Sequence, residues 1–142
     1  MKTVRDILNV KGIEVWCVGP DATVFAALQL MAEKEVGALV VTEGDRVVGI
    51  LSERDYARKV ILQGRSSPTT LVKEIMITPV AHTFPEQPIE ECMALMTEKR
   101  IRHLPVIAEG KLAGMISIGD LVKAIITDQQ FIIEQLERYI SG

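Results

Sequence analysis

Aromatic residues and cysteines are both scarce in this sequence, and each shortage excludes a class of protein. Aromatic side chains make up 4% of the 142 residues, whereas proteins that bind single-stranded nucleic acid need several of them for base stacking. The two cysteines, Cys17 and Cys92, lie far apart and form no CxxC pair. This cysteine usage is typical of a reducing compartment, so we expect a cytoplasmic protein.

Long apolar runs and an excess of positive charge are missing too. The longest apolar stretches, such as 36–41, fall far short of the roughly 20 residues that span a bilayer. Arg5 and Asp6 lie where a signal peptide would need an apolar stretch. Sixteen basic and nineteen acidic residues give a net charge of -3. We therefore expect no nucleic-acid partner and no membrane partner.

What the chain does have is an internal repeat. Positions 15–61 align with positions 80–126 without a gap, at a shift of 65 residues. The short lead-in Val4–Ile7 matches Val72–Ile75 at a shift of 68. The first repeat therefore carries three extra residues around Lys11-Gly12-Ile13. Such a duplication indicates one supersecondary unit used twice.

Each repeat is predicted to fold as strand–helix–strand–strand–helix. In the first, apolar residues at helical spacing follow Asp21 and Thr23, which are suitable helix caps. The next segment predicts a hairpin with its tip at 43–45, and the second repeat has the same hairpin around Glu109-Gly110. Neither unit alone buries its apolar face. We therefore expect an α/β fold in which the two repeats pack with pseudo-two-fold symmetry.

The repeats divide the chain into 1–64, the first repeat with its lead-in, and 65–127, the second repeat. The last helix is predicted to continue through 128–142. Its apolar residues recur at a spacing of about 3.6 beyond anything the repeat can cover, and they are Leu121, Val122, Ile125, Ile126, Ile132, Ile133, Leu136 and Ile140. The mean hydropathy of +0.23 is high for a small chain. Both observations favour a homodimer contact.

The strongest local signal is a doubled pattern, G-h-h-S-x-x-D, in which h is aliphatic. It occurs at 49–55 and at 114–120. In a structural interpretation, the serine caps a helix and the aspartate occupies its first turn in a variant of the capping box. In a functional interpretation, the helix N-terminus binds phosphate and the carboxylate accepts hydrogen bonds from a ribose diol. The spacing alone leaves both interpretations open.

The repeated unit, the doubled pattern and the Arg-His-Leu-Pro-Val stretch at 102–106 resemble a tandem cystathionine-β-synthase-type (CBS) domain pair, also called a Bateman module. The resemblance covers residues 1 to about 127 and is greatest with stand-alone CBS-pair proteins. It implies an adenosine ligand (AMP, ADP, ATP, NAD or S-adenosylmethionine) in the clefts between the repeats. It also implies a regulatory protein that is not an enzyme, shifts conformation on binding, and acts on a separate effector protein.

The resemblance implies roles for individual residues. Asp55 and Asp120 would each hold a ribose. The other residues implied near the ribose or the adenine are Ser52, Ser117, Ile50 and Met115, with the backbone near Thr78 and Val80.

The basic residues make the two implied sites unequal. Arg102 and His103 occupy positions that hold phosphate-binding residues in nucleotide-sensing members, whereas their counterparts in the first repeat are uncharged, Gly37-Ala38. Arg54 precedes Asp55 and is the cation available to that site. We expect one good site around Asp120, Arg102 and His103 and a weaker one at Asp55. A preference for phosphate disfavours S-adenosylmethionine.

Other chemistry finds little support in the sequence. His82 and His103 are the only histidines, and with two distant cysteines they show no metal-ligand spacing. Cys92 is predicted to be a core residue on a helix face. No nucleophile is paired with a base, so we expect no enzyme. The alternative function is a dimeric interaction scaffold with vestigial clefts, suggested by Gly37-Ala38 and by the apolar C-terminal helix.

Overall fold

The structure, a computed structural model, describes residues 2–141, so positions 1 and 142 lie outside it. In chain order the elements are α1 (Val4–Lys11), β1 (Cys17–Val18), α2 (Val24–Lys34), β2 (Ala38–Glu43), β3 (Arg46–Ser52), α3 (Glu53–Tyr56), α4 (Val72–Ile75), α5 (Ile89–Lys99), β4 (His103–Ala108), β5 (Lys111–Ser117) and α6 (Ile118–Ser141). A π-helical turn follows α3 and a 3-10 turn precedes α4.

These elements form two compact units. Glu14–Ala81 makes up what we call the first-repeat unit. The described residues up to Ile13, together with those from His82 onward, make up the second-repeat unit. Each lead-in helix, α1 or α4, thus belongs to the unit built from the other repeat. The divisions 1–64 and 65–127 describe the sequence repeat, whereas the compact units exchange the two lead-ins.

The first-repeat unit has a three-stranded sheet in the order β1-β2-β3. Strand β1 runs parallel to β2, and β2 and β3 form the predicted antiparallel hairpin. Gly44 adopts a φ of 62° in its turn, a conformation that glycine tolerates without strain. The Thr23 hydroxyl oxygen accepts a hydrogen bond from the Ala26 N–H at 3.1 Å, which confirms Thr23 as the cap of α2.

The second-repeat unit reproduces this hairpin with β4 and β5. Its register is equivalent, because His103 lies opposite Ser117 as Ala38 lies opposite Ser52. The first strand predicted for this repeat is wrong in extent, since only an isolated bridge forms there, between Thr83 and Val106. That bridge includes a hydrogen bond from the Thr83 N–H to the Pro105 carbonyl at 2.9 Å.

The predicted core position of Cys92 on α5 is confirmed. Its side chain is fully buried, and Sγ lies 3.3 Å from the Thr83 hydroxyl. The buried Thr83 therefore has a partner inside the second-repeat unit, consistent with the rule that buried polar groups are hydrogen-bonded.

A helix begins directly after each second strand, as predicted, but the two helices differ in length. Helix α3 has 4 residues before the π-helical turn Ala57–Ile61, whereas α6 has 24 residues. The predicted C-terminal extension is thus helical through Ser141. Within the second-repeat unit α6 buries only Leu121. Its apolar residues further along are exposed, among them Ile126, Phe131, Ile132, Ile133, Leu136 and Ile140.

The glycine that opens each motif is a point of close approach by a lead-in segment. A Cβ placed on Gly114 would lie 2.9 Å from Leu8 Cδ2 on α1. A Cβ placed on Gly49 would lie 2.5 Å from Met76 Sδ, one residue beyond α4. Glycine at these positions lets the lead-in pack directly on the strand. The lead-ins are thereby held beside the two serine–aspartate motifs.

Candidate functional site

Both serine–aspartate motifs form capping boxes at helix N-termini. In the first, the Ser52 N–H donates to Asp55 Oδ2 at 2.9 Å, and the Asp55 N–H donates to Ser52 Oγ at 3.3 Å. In the second, the Ser117 N–H donates to Asp120 Oδ2 at 2.8 Å, and the Asp120 N–H donates to Ser117 Oγ at 3.2 Å. The structural interpretation of the motif is confirmed. Each aspartate oxygen bonded in this way is also fixed in direction.

Arg102 and His103 lie beside the second capping box. The Arg102 carbonyl accepts a hydrogen bond from the Ile118 N–H at 2.8 Å, and His103 lies opposite Ser117 in the sheet. The Arg102 side chain is exposed. The second-repeat unit therefore brings together five of the predicted site residues, which are Arg102, His103, Met115, Ser117 and Asp120.

The first-repeat unit gathers the remaining predicted residues. Ile50 forms an antiparallel bridge with Ile77, and the Ile77 N–H donates to the Ile50 carbonyl at 2.8 Å. This bridge sets Thr78 next to Ile50. The predicted residues in this unit are Ile50, Ser52, Arg54, Asp55, Thr78 and Val80. Thr78 and Val80 thus accompany Asp55 rather than Asp120.

The residue that the lead-in contributes beside Asp120 is Lys11, which the sequence prediction missed. Lys11 Nζ donates to Asp120 Oδ2 at 2.8 Å and to the Met115 carbonyl at 2.9 Å. Lys11 lies within the three extra residues that distinguish the first lead-in from the second. The three-residue insertion is the one feature of the sequence that marks this position. No pattern in the residues around Lys11 indicates that its partner lies 109 positions away.

The electrostatic environment of Asp120 favours its charged form. Burial by itself raises the pKa of this carboxyl group. The hydrogen bond from Lys11, the hydrogen bonds of Ser117 and the positive charge of Lys11 outweigh that effect, and the pKa is held below its usual value. Asp120 is therefore an anionic acceptor at neutral pH, with 24% of its side chain exposed.

Asp55 has a different counter-ion, supplied by its own chain segment. Lys59 Nζ lies 3.5 Å from Asp55 Oδ1, four residues further along, and also donates to the Ile75 carbonyl at 3.0 Å. The Asp55 side chain is more deeply buried, at 9% exposed. Asp55 thus has a local cation, whereas the cation of Asp120 comes from a separate helix.

A cavity of about 590 Å³ opens between α1 and α6 in the second-repeat unit. Asp120 lines it, together with Asp6 and three lysines, which are Lys2, Lys11 and Lys123. This volume lies within the range of sites for small organic ligands. In the first-repeat unit, a cavity of about 300 Å³ beside Gly37 has only glutamates as charged lining, Glu35 and Glu53. The lysine-lined cavity is the better match for an anion.

The fold and the paired motifs define a tandem CBS domain pair. The profile of the CBS domain family matches residues 4–61 and 72–127, and the chain belongs to this family. The resemblance in the sequence is therefore confirmed, as is the α/β fold with two repeats.

Two relatives are similar to this chain over most of its length. The mitochondrial CBS domain-containing protein CBSX3 of Arabidopsis thaliana is 41% identical over 150 residues, covering 99% of this chain and 72% of that protein. The structure of a CBS-domain protein from Burkholderia ambifaria is 55% identical with a TM-score of 0.87, covering 90% of this chain and 96% of that one. Relatives of this kind are stand-alone, non-catalytic CBS domain proteins.

A more distant structure shows the same fold with ligands bound. The CBS domain pair of protein MJ0100, in complex with 5′-methylthioadenosine and S-adenosyl-L-methionine, is 18% identical with a TM-score of 0.79, covering 90% of this chain and 98% of that one. That CBS domain pair, with the same fold, holds two adenosyl compounds. Among residues 2–141, no helix is long and apolar enough to cross a membrane, and no cluster of metal-ligating side chains is found in the same range.

Proposed function

We propose that this protein is a regulatory module that binds an adenine nucleotide without transforming it, at a site centred on Asp120. The observation that carries the proposal is the second capping box. It presents an ionised carboxylate 24% exposed at the start of α6, beside Arg102, His103 and a lysine-lined cavity. An ionised carboxylate accepts hydrogen bonds from both hydroxyls of a ribose.

The surroundings of Asp120 support a ligand that carries phosphate. Lys11 donates a hydrogen bond to the Asp120 carboxylate, and the backbones of Arg102 and His103 pair with Ile118 and Ser117 where α6 begins. The N-terminus of a 24-residue helix also favours negative charge. The equivalent positions of Arg102 and His103 in the first repeat are Gly37 and Ala38. We therefore assign AMP, ADP, ATP or NAD to the Asp120 site in preference to S-adenosylmethionine, and we assign weaker binding to the Asp55 site with Ile50, Ser52, Arg54, Thr78 and Val80.

The regulatory step follows from differential affinity. A ligand that binds one conformation more tightly than another shifts the population toward it. A separate effector protein then recognises the altered surface, and a homodimer formed through α6 presents two such modules. The cytoplasmic location expected from cysteine usage remains a prediction.

Thermal unfolding with a ligand panel tests the proposal. AMP, ADP, ATP, NAD and S-adenosylmethionine are each added to the unmodified chain, to Asp120→Asn and to Asp55→Asn. Asparagine is used because it retains an oxygen for the capping box, which alanine would remove. A ligand at 100 times its dissociation constant adds about 2.7 kcal/mol of stability, a rise of roughly 10 °C in Tm for a chain of this length.

Each variant is compared with its own ligand-free Tm, so that a change in stability is not mistaken for a change in binding. We expect a phosphorylated ligand to raise the Tm of the unmodified chain and of Asp55→Asn, and to have little effect on Asp120→Asn. No rise with any ligand at millimolar concentration would contradict the proposal. Equal loss in both variants would contradict the assignment of unequal sites.

A second candidate function, a dimeric interaction scaffold, is favoured by the exposed apolar side chains of α6. Ile126, Phe131 and Leu136 are 60%, 58% and 56% exposed in the described chain. Removing the residues from Asp128 onward should abolish dimerisation in sedimentation experiments. If nucleotide binding survives that truncation, binding and assembly are separate, as the nucleotide proposal requires. A truncated monomer that still binds the effector protein would exclude the scaffold.

A further inference from the structure

Lys11 connects two elements of the second-repeat unit across the lysine-lined cavity. It ends α1, and its Nζ reaches the Asp120 carboxylate at the start of α6 and the Met115 carbonyl on β5. Its side chain remains 35% exposed. These two acceptors belong to the residues predicted to contact ribose and adenine. Lys11 therefore occupies the polar groups that a nucleoside at Asp120 would need.

The cavity lining has more positive than negative charge, which favours binding of an anion. Asp6 is already engaged, because its carboxylate accepts hydrogen bonds from the Thr3 N–H at 2.8 Å and the Thr3 hydroxyl at 3.3 Å. Asp120 is engaged by Ser117 and Lys11. Lys2 Nζ has a long contact of 3.5 Å with the Ala124 carbonyl, and Lys123 lines the same cavity. Three ammonium groups thus share one cavity with two carboxylates that already have partners.

We propose that Lys11 selects for phosphorylated adenosine ligands by exchanging its partner. This inference rests on the proposed function, since it requires a ribose to bind Asp120. When the ribose hydroxyls replace Lys11 on the carboxylate, the ammonium group turns to the phosphate of the ligand in the cavity between α1 and α6. Lys123 and Lys2 supply further positive charge there. A nucleoside without phosphate must displace Lys11 and offers it no new partner.

The contrast between the two repeats supports a role specific to the Asp120 site. In the first-repeat unit the cation beside the aspartate is Lys59, on the same chain segment, with a second contact to the Ile75 carbonyl. The second lead-in has no counterpart of the three extra residues around Lys11. The insertion thus adds to one site a cation that reaches across a cavity, and the other site lacks this arrangement.

Calorimetric titration with AMP and with adenosine tests the proposal in the full chain. The variants are Lys11→Met, which keeps the length of the stem, and Lys11→Arg, which keeps the charge. Lys111→Met, at an exposed lysine of the same unit, is the matched control. We expect Lys11→Met to weaken AMP binding about tenfold, as for loss of a charged hydrogen bond. Adenosine binding should be unchanged or tighter, because Asp120 is released.

The outcomes separate this inference from the function on which it rests. Lys11→Arg should retain most of the preference for AMP, and Lys111→Met should match the unmodified chain. An unchanged ratio of AMP to adenosine affinity in Lys11→Met would overturn the role of Lys11, even if AMP binds and Asp120→Asn abolishes that binding. If neither ligand binds the unmodified chain, the proposed function fails and this inference fails with it. Circular dichroism of each variant shows whether the fold is retained.

Discussion

Substitution of Gly49 by alanine tests whether the motif glycines are required for packing of the lead-in segments. A Cβ at this buried position would lie 2.5 Å from Met76 Sδ, 2.9 Å from its Cγ and 3.2 Å from its Cβ. The contact with Met76 Cβ is close to the backbone, so rotation of the side chain cannot relieve the whole clash. Overpacking of this kind costs typically 1–3 kcal/mol. We expect a loss of about 2 kcal/mol, or roughly 7 °C in Tm.

The assay is thermal and urea unfolding of Gly49→Ala, Met76→Ala and the double variant. Because Met76→Ala removes Sδ and Cγ, the double variant should lose less stability than the sum of the two single variants, by about 1 kcal/mol. Gly19→Ala is the control, since a Cβ there meets nothing within 4 Å. A Gly49→Ala protein within about 0.5 kcal/mol of the unmodified chain, or strict additivity with Met76→Ala, would refute the reasoning.

Three further results are expected. Asp120→Asn should lower the free energy of unfolding by about 1 kcal/mol at pH 7. Because the pKa of Asp120 is depressed in the folded chain, the stability that its carboxylate adds is present above the unfolded pKa of about 3.9 and is lost as the pH falls through the lower folded value. Urea unfolding of both proteins between pH 7 and pH 3 measures this difference, and a difference that does not shrink toward pH 3 would refute it. Cys92 is fully buried, whereas the Cys17 side chain is exposed but partly desolvated by its neighbours. This desolvation raises the pKa of both thiols, so a thiol reagent should label Cys17 slowly in the folded protein and Cys92 only after denaturation. Prompt labelling of both would contradict the packing. Leu136→Asp on α6 should shift the protein toward monomer in sedimentation, while the free energy of unfolding of the chain changes by no more than about 0.5 kcal/mol. An unchanged dimer would exclude this face of α6 as the dimer contact.

The local features of the fold were predictable because a few adjacent residues encode each of them. The hairpin turns at Gly44 and Glu109-Gly110, the Thr23 cap and the capping boxes all depend on contacts within four residues. The periodic apolar pattern likewise placed Cys92 in the core. Such signals survive in one sequence because the interacting groups are neighbours.

The features that the sequence did not reveal depend on distant contacts. No local pattern distinguishes the 2-residue strand β1 from the single bridge at Thr83, because the difference lies in pairing with another strand. The exchange of lead-ins between units is equally non-local. The ion pair of Lys11 with Asp120 joins residues 109 positions apart, and only the structure explains why the first lead-in is longer.

The most direct test of the central claim is calorimetric titration of the unmodified chain with AMP, followed by chromatography of the recovered nucleotide. We predict saturable binding of about one AMP per chain, since the first repeat has the uncharged Gly37 and Ala38 where the second has Arg102 and His103. We also predict that AMP is recovered unchanged. The absence of saturable binding at millimolar AMP, or recovery of a converted nucleotide, would contradict it.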